Sequence, residues 1–125
     1  MPKRILIVDD SEQTRAIIRE IIVPLGYAIS EATDGNDAIE SVKQGGIDGM
    51  ILDLIMPNRD GLEVLVWLKS ERPDLPVVVI TSAGEGHDDI SYPGIAERFG
   101  ALKAFEKPIS QRMVLDAVDL LSGAW

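Results

Sequence analysis

Met50-Ile51-Leu52-Asp53-Leu54-Ile55-Met56-Pro57-Asn58-Arg59-Asp60-Gly61 is the stretch from which the fold can be read. A short apolar run ends on an acid, and Pro57 and Asp60-Gly61 then break the chain before the next helical pattern. The same hand-over recurs on either side. Ile5-Leu6-Ile7-Val8 ends in Asp9-Asp10, and Val77-Val78-Val79-Ile80 ends in Thr81-Ser82. A shorter run, Ala104-Phe105, is followed by Lys107-Pro108. Runs that are apolar throughout suit strands covered on both faces, as in a parallel sheet.

The segments between these runs have helical spacing. Ser11 is a good N-cap, and Ile17, Ile18, Ile21, Ile22 and Leu25 recur at helical intervals up to Gly26. Tyr27–Ala32 reads as a second strand, closed by Thr33-Asp34-Gly35, and Asn36 to about Gln44 as a second helix stopped by Gly45-Gly46. Met50–Leu54 is the third strand. Gly61–Ser70 is the third helix, with Leu62, Leu65, Val66 and Leu68 apolar, ending before Pro73. Val77–Ile80 is the fourth strand, and the fourth helix is placed within Ile95–Phe99. Leu102–Glu106 is a short fifth strand and Ser110–Leu121 the last helix, with Val114, Leu115, Val118 and Leu121 on one face. Five strands alternating with five helices predict an α/β fold: a five-stranded parallel sheet with helices on both faces, most simply wound in the order 2-1-3-4-5. Residues 1–125 form one expected domain, without internal repeat, low-complexity tract or linker.

Composition narrows the function. A chain of 125 residues buries a core without staples, and the absence of cysteine excludes disulfides, thiolate metal sites and thiol catalysis. No signal peptide is read at the start and no apolar stretch approaches the ~20 residues of a membrane span, so a cytoplasmic protein with no membrane insertion is expected. The net charge of −9 argues against nucleic acid as a direct partner.

In open α/β sheets ligands bind beyond the carboxyl ends of the strands, where the winding reverses, here between the first and third strands. Asp9, Asp10 and Asp53 all fall there, with Thr81 on the next strand and Lys107 on the one after. Neighbouring strands lie about 4.8 Å apart. Carboxylates so close either raise their pKa values or bind a cation. All-oxygen ligands suit a hard divalent ion such as Mg2+, which completes its shell with water and phosphate. Lys107 adds a positive charge and Thr81 a hydroxyl, so the set describes a pocket for a phosphoryl group beside a carboxylate. That carboxylate can itself be the nucleophile, forming an acyl phosphate.

Asp9-Asp10, Asp53 through Gly61, Thr81-Ser82, Gly100-Ala101 and Lys107-Pro108, in this order, resemble the receiver domain of two-component response regulators over essentially the whole chain. The resemblance implies the flavodoxin-like, CheY-like fold. It implies that Asp53 accepts a phosphoryl group from a histidine kinase or histidine phosphotransfer protein. It also implies that Asp10 ligates Mg2+ directly, that Asp9 holds it mainly through water, and that the backbone carbonyl of Ile55 is a third ligand beside Asp53. Thr81, Lys107 and the backbone N–H of Ser82 are then the phosphate contacts. The Lys107-Pro108 bond is expected to be cis.

Departures from the family pattern are as informative. Three residues before Lys107, the family's aromatic switch position holds Ala104, and strand alternation sends Phe105 to the other face. The stretch from Ser82 to Phe99 is longer than usual by about one helical turn, which predicts an extended approach to the fourth helix and a non-standard output surface. Two residues beyond Asp53 and Thr81, where polar groups in the family help place the hydrolytic water, stand Ile55 and Ala83. Slow loss of phosphate is therefore expected. Simpler roles suit other residues: a turn and cap for Asp60-Gly61, loop shaping for Pro57, an inert exposed side chain for His87, packing or surface for Trp67 and Trp125. The isoleucines of the first helix are read mainly as core, one side doubling as a kinase-docking face as in the family.

The expected function is a stand-alone receiver, since the chain stops at Gly123-Ala124-Trp125. It is a switch that binds an unidentified downstream protein when phosphorylated, as monomer or weak dimer, and it is not a conventional enzyme. Two alternatives are a phosphorelay intermediate that passes phosphate to a downstream histidine and a constitutive interaction module. A magnesium-dependent phosphatase ranks below these, because Ile55 stands where a general acid would be needed.

Overall fold

A computed structural model describes residues 2–56, 61–82 and 92–125. The strands are β1 (Arg4–Val8), β2 (Ala28–Ala32), β3 (Gly49–Asp53), β4 (Val77–Thr81) and β5 (Lys103–Glu106). The helices are α1 (Glu12–Ile22), α2 (Gly35–Gln44), α3 (Gly61–Glu71), α4 (Tyr92–Arg98) and α5 (Gln111–Gly123), with a 3-10 turn at Val23–Leu25 extending α1. All strand pairs are parallel and the sheet order is β2-β1-β3-β4-β5, as the alternation predicts.

Side-chain alternation along the strands divides the core into two layers. Leu6, Val8, Met50, Leu52, Val77 and Val79 pack toward residues of α2, α3 and α4, among them Ile39, Val42, Leu65, Leu68 and Ala96. Ile5, Ile7, Ile51, Val78 and Ile80 pack toward Ile18 and Ile22 of α1 and Val114, Val118 and Leu121 of α5. β3 and β4 are buried at every position and β1 at all but Arg4, whereas the edge strands β2 and β5 are not. Full burial of a large apolar side chain contributes roughly 1.5–3 kcal/mol, so the three inner strands anchor the sheet and fix where their carboxyl ends lie.

Local chemistry sets the helix boundaries. Ser11 caps α1 by accepting from Thr14 N–H, Asp34 caps α2 through Asp37 N–H, and Ser110 caps α5 through Met113 N–H. Gly26, at φ 97°, turns the chain out of α1 and its 3-10 extension. The fourth helix begins at Tyr92, earlier than the sequence spacing suggests. Pro93 falls in its first turn, where the missing N–H has no helical partner to lose, so it opens the helix rather than preceding it. Thr81 belongs to β4, and β3 runs Gly49–Asp53, one residue earlier at both ends than expected. In α3 the buried residues are Gly61, Val64, Leu65 and Leu68, while Val66, expected with the apolar set, is exposed. Trp125 is a packing residue: its indole N–H donates to the Asp48 carbonyl at 2.8 Å and its ring lies 5.6 Å from that of Tyr27. Pro57, Asp60, Ala83 and His87 lie outside the described residues.

Candidate functional site

The carboxyl ends of β1, β3, β4 and β5 bring the predicted residues together. Parallel register sets Val8 beside Leu52, Asp53 beside Ile80, and Thr81 beside Glu106, so the groups following β1 and β5 flank those ending β3 and β4. Asp9, Asp53 and Thr81 are buried, Lys107 is half-buried and Asp10 is exposed. One carboxylate oxygen from each of Asp9, Asp10 and Asp53 lies within 4.8 Å of the others.

Asp9 is held on every polar atom. Its N–H donates to the Ala32 carbonyl at 3.1 Å, and its own carbonyl accepts from Arg15 Nη1 at 2.7 Å. Oδ1 accepts from Ser11 N–H at 2.8 Å and Oδ2 from Lys107 Nζ at 3.2 Å. Asp53 is less constrained: Oδ1 accepts a long bond from Ile55 N–H at 3.2 Å, and Oδ2 one from Lys107 Nζ at 3.4 Å. Lys107 therefore bridges two acids, and its backbone N–H donates to the Thr81 carbonyl at 2.9 Å, tying β5 to β4. The Lys107-Pro108 peptide is cis. Among the described residues Thr81 Oγ1 has only a 3.5 Å contact to the Ser82 carbonyl, and Ser82 itself is half-buried.

Burial pushes the Asp53 carboxyl up to about 6, with the neighbouring Asp9 charge adding to the rise and Lys107 and the Ile55 N–H opposing it. Burial alone would lower the Lys107 pKa, but the charges of Asp53 and Asp9 outweigh it and hold the ammonium above its ordinary range. The site is therefore short of positive charge even with Lys107 in place. An all-oxygen donor set with excess negative charge fits a hard divalent cation. The exposed Asp10, and Asp53 with its longer bonds, are better placed to give it an oxygen than Asp9, whose carboxylate is held at 2.8 Å by Ser11 N–H and at 3.2 Å by Lys107.

Two residues of the site were missed by sequence reasoning. Gly61 is read there as a turn residue, but the start of α3 lies against the end of β3. A Cβ at Gly61 would sit 2.4 Å from the Asp53 carbonyl oxygen and 2.6 Å from Leu54 Cα, and Gly61 N–H donates to the Leu54 carbonyl at 2.8 Å. Arg15 is buried in α1 beneath the Asp9 turn. A charged residue facing inward on an amphipathic helix, and Glu31 on the neighbouring strand, were the available signals. Ala104 and Phe105 lie as alternation predicts: Ala104 packs with the layer containing Val79 and Ala96, Phe105 with the layer containing Ile80 and Val114.

The family model described as "Response regulator receiver domain" matches residues 5–119. The chain belongs to the response regulator receiver domain family. Response regulator MprA of Mycolicibacterium vanbaalenii is 40% identical over 82 residues, a match covering 66% of this receiver and 36% of that protein. The aligned region thus spans about a third of the length of that curated relative. A response regulator receiver domain protein (CheY-like) from Methanospirillum hungatei JF-1 superposes with a TM-score of 0.86 at 22% identity, covering 99% of this receiver and 97% of that chain. Response regulator protein TrrA of Thermotoga maritima, solved in complex with Mg(2+)-BeF, gives a TM-score of 0.80 at 28% identity, covering 95% of this receiver and 98% of that chain. No helix among the described residues of the receiver is long and apolar enough to cross a membrane.

Proposed function

We propose that Asp53 is the phosphoryl acceptor of this receiver, loaded from a phosphohistidine of a histidine kinase or histidine phosphotransfer protein. The observation that carries this is the buried Asp53 carboxylate with Lys107 on one oxygen and two further acids within 4.8 Å. With its pKa at about 6, Asp53 is mostly ionised at neutral pH and needs no base to become a nucleophile. A carboxylate oxygen bonds to phosphorus as the phosphorus–nitrogen bond to the donor imidazole breaks. The imidazole leaves and takes up a proton, and the product is an acyl phosphate. Lys107 then has a phosphoryl oxygen to neutralise in place of the Asp53 oxygen, and the weakly bonded Thr81 hydroxyl and the Ser82 N–H are at hand to donate.

Asp10, Asp53 and the Ile55 carbonyl would hold Mg2+, with Asp9 acting mainly through water. The ion supplies charge neutralisation between the carboxylates and the phosphoryl oxygens. TrrA, crystallised with Mg(2+)-BeF, supports this reading by analogy. Hydrolysis returns Asp53 and inorganic phosphate. The side chain of Ile55, exposed and apolar, offers no hydrogen bond to an attacking water, which supports a long-lived phosphoryl group.

The proposal extends to output. The receiver acts on its own in the cytoplasm, as monomer or weak dimer, by binding a protein partner when phosphorylated, and the acidic surface supports a protein rather than nucleic acid as direct partner. It is a self-modifying switch, not a conventional enzyme. Incubation with a small-molecule phosphodonor, followed by intact mass, tests the chemistry. One phosphoryl group is expected, requiring Mg2+ and lost in Asp53→Asn; no adduct under conditions that label a control receiver would leave a constitutive interaction module.

A further inference from the structure

Arg15 carries a full charge yet is buried, and its guanidinium makes three separate attachments. Nη1 donates to the Asp9 carbonyl at 2.7 Å, Nε donates to Glu31 Oε1 of β2 at 3.1 Å, and Nη2 meets Glu12 one turn earlier on α1. Glu31 is held in turn by Arg19 at 2.8 Å. We infer that Arg15 is a positioning residue for the cation site: its planar fork fixes the Asp9 carbonyl, and with it the turn that presents Asp10.

The geometry of the turn carries the inference. Asp9 closes β1 and Asp10 leads into the cap of α1, so the peptide joining them sets where the Asp10 carboxylate lies. The carbonyl of that peptide belongs to Asp9 and is buried, and Arg15 is the donor that satisfies it. Removing the guanidinium leaves the carbonyl to seek another partner by rotating the peptide, which moves Asp10. A planar guanidinium can serve the carbonyl and Glu31 together because its donors point in fixed, divergent directions, which a lysine ammonium cannot reproduce. Glu31 and Glu12 neutralise Arg15, so a positive charge so near the acids does not expel a cation. This inference rests on the reading of the acid cluster as a Mg2+ site.

Positioning and simple electrostatics predict opposite signs. Were Arg15 only a nearby positive charge, its removal would tighten binding of a cation; as a positioning residue, its removal weakens it. The experiment is calorimetric titration of the intact chain with Mg2+ alone, without phosphodonor. It compares wild type, Arg15→Met, Arg15→Lys and Arg19→Gln, with amide hydrogen exchange of the metal-free proteins as a second readout. Arg15→Met is expected to weaken Mg2+ about tenfold, the usual scale for losing a group that orients a ligand. Arg15→Lys, which keeps the charge but not the fork, is expected to weaken it about threefold. Arg19→Gln disturbs Glu31 without touching Asp9 and stays within about twofold of wild type. Exchange at Asp10 and Ser11 quickens in Arg15→Met without metal. Should Arg15→Met fail to fold, Arg15→Lys decides alone. Unchanged or tighter Mg2+ binding in the folded Arg15 variants overturns the inference while leaving the Mg2+ site intact. A wild type that binds no Mg2+ removes the site and the inference together.

Discussion

The two halves of the sheet's carboxyl edge differ in how tightly they are built. On the β1–β3 side, Asp9 is bonded on every polar atom, Asp53 is buried, and α3 is pressed so close to β3 that only glycine fits at position 61. On the β4–β5 side, the Thr81 hydroxyl has one long contact among the described residues, and the position three residues before Lys107 is a half-buried alanine packed against the core layer that contains Ala96 and Ala101. The chemistry of accepting a phosphoryl group demands a buried carboxylate presented among charged neighbours, and the first half supplies it. Reporting that event to a partner demands only some coupled movement, and the second half has room to vary. The position that carries an aromatic in the family holds Ala104 here, and an output route that departs from the family pattern is the expectation this raises.

The largest expected effects break the first half. Asp53→Asn abolishes phosphoryl uptake, read by intact mass, because Asp10 is exposed and Asp9 is held by the shorter bonds, at 2.8 Å from Ser11 N–H and 3.2 Å from Lys107. Gly61→Ala forces a methyl into the space between α3 and the Asp53–Leu54 backbone. Rigid backbone cannot yield as a side chain does, so a loss of about 3 kcal/mol is expected in urea unfolding.

The same half is sharpened by pH. In the folded chain the Asp53 pKa lies at about 6 against 3.8 for an ordinary aspartate. Between those values the folded state binds more protons than the unfolded state, so stability from this group falls as pH rises through the window and is lost above about 6. In metal-free buffer Asp53→Asn is therefore expected to be more stable than wild type at pH 7.5 by about 2 kcal/mol. The gain disappears below pH 4, and urea midpoints at the two pH values check it. Equal stability of the two proteins at both pH values would mean that Asp53 carries no uncompensated burial cost.

How much of this contrast was legible in the sequence follows the same divide. Four apolar runs ending in acid, acid, hydroxyl and lysine were enough to place Asp9, Asp10, Asp53, Thr81 and Lys107 at one edge, because parallel strands leave their last residues side by side. Strand alternation alone separates Ala104 from Phe105. Contacts between segments distant in sequence were not legible. The approach of α3 to β3 makes Gly61 more than a turn residue, and the fold of α1 against β2 turns Arg15 inward to Asp9 and Glu31. The start of α4 was missed for a different reason: Pro93 signals a break in most settings but is permitted in a first turn, and composition does not distinguish the two.

Smaller effects are expected where the structure is looser. Ile55→Asn places an amide where an exposed isoleucine stands and is expected to shorten the phosphoryl lifetime severalfold, roughly within the range of a single water-orienting group. Decay followed by intact mass checks this. An unchanged lifetime would shift the control of hydrolysis away from that position. Ala104→Tyr is expected to leave the rate of phosphoryl uptake within about twofold, since Ala104 contributes no polar atom to the site, while altering partner affinity. A large fall in uptake would show that the two halves are less separable than their packing suggests.

Phosphorus NMR of the wild-type chain, loaded by a small-molecule phosphodonor with Mg2+ present, is the most direct test of Asp53 as acceptor. A single acyl-phosphate resonance is predicted, removed by hydroxylamine and absent from Asp53→Asn treated in the same way. A hydroxylamine-stable adduct, or a resonance that persists in Asp53→Asn, would contradict it.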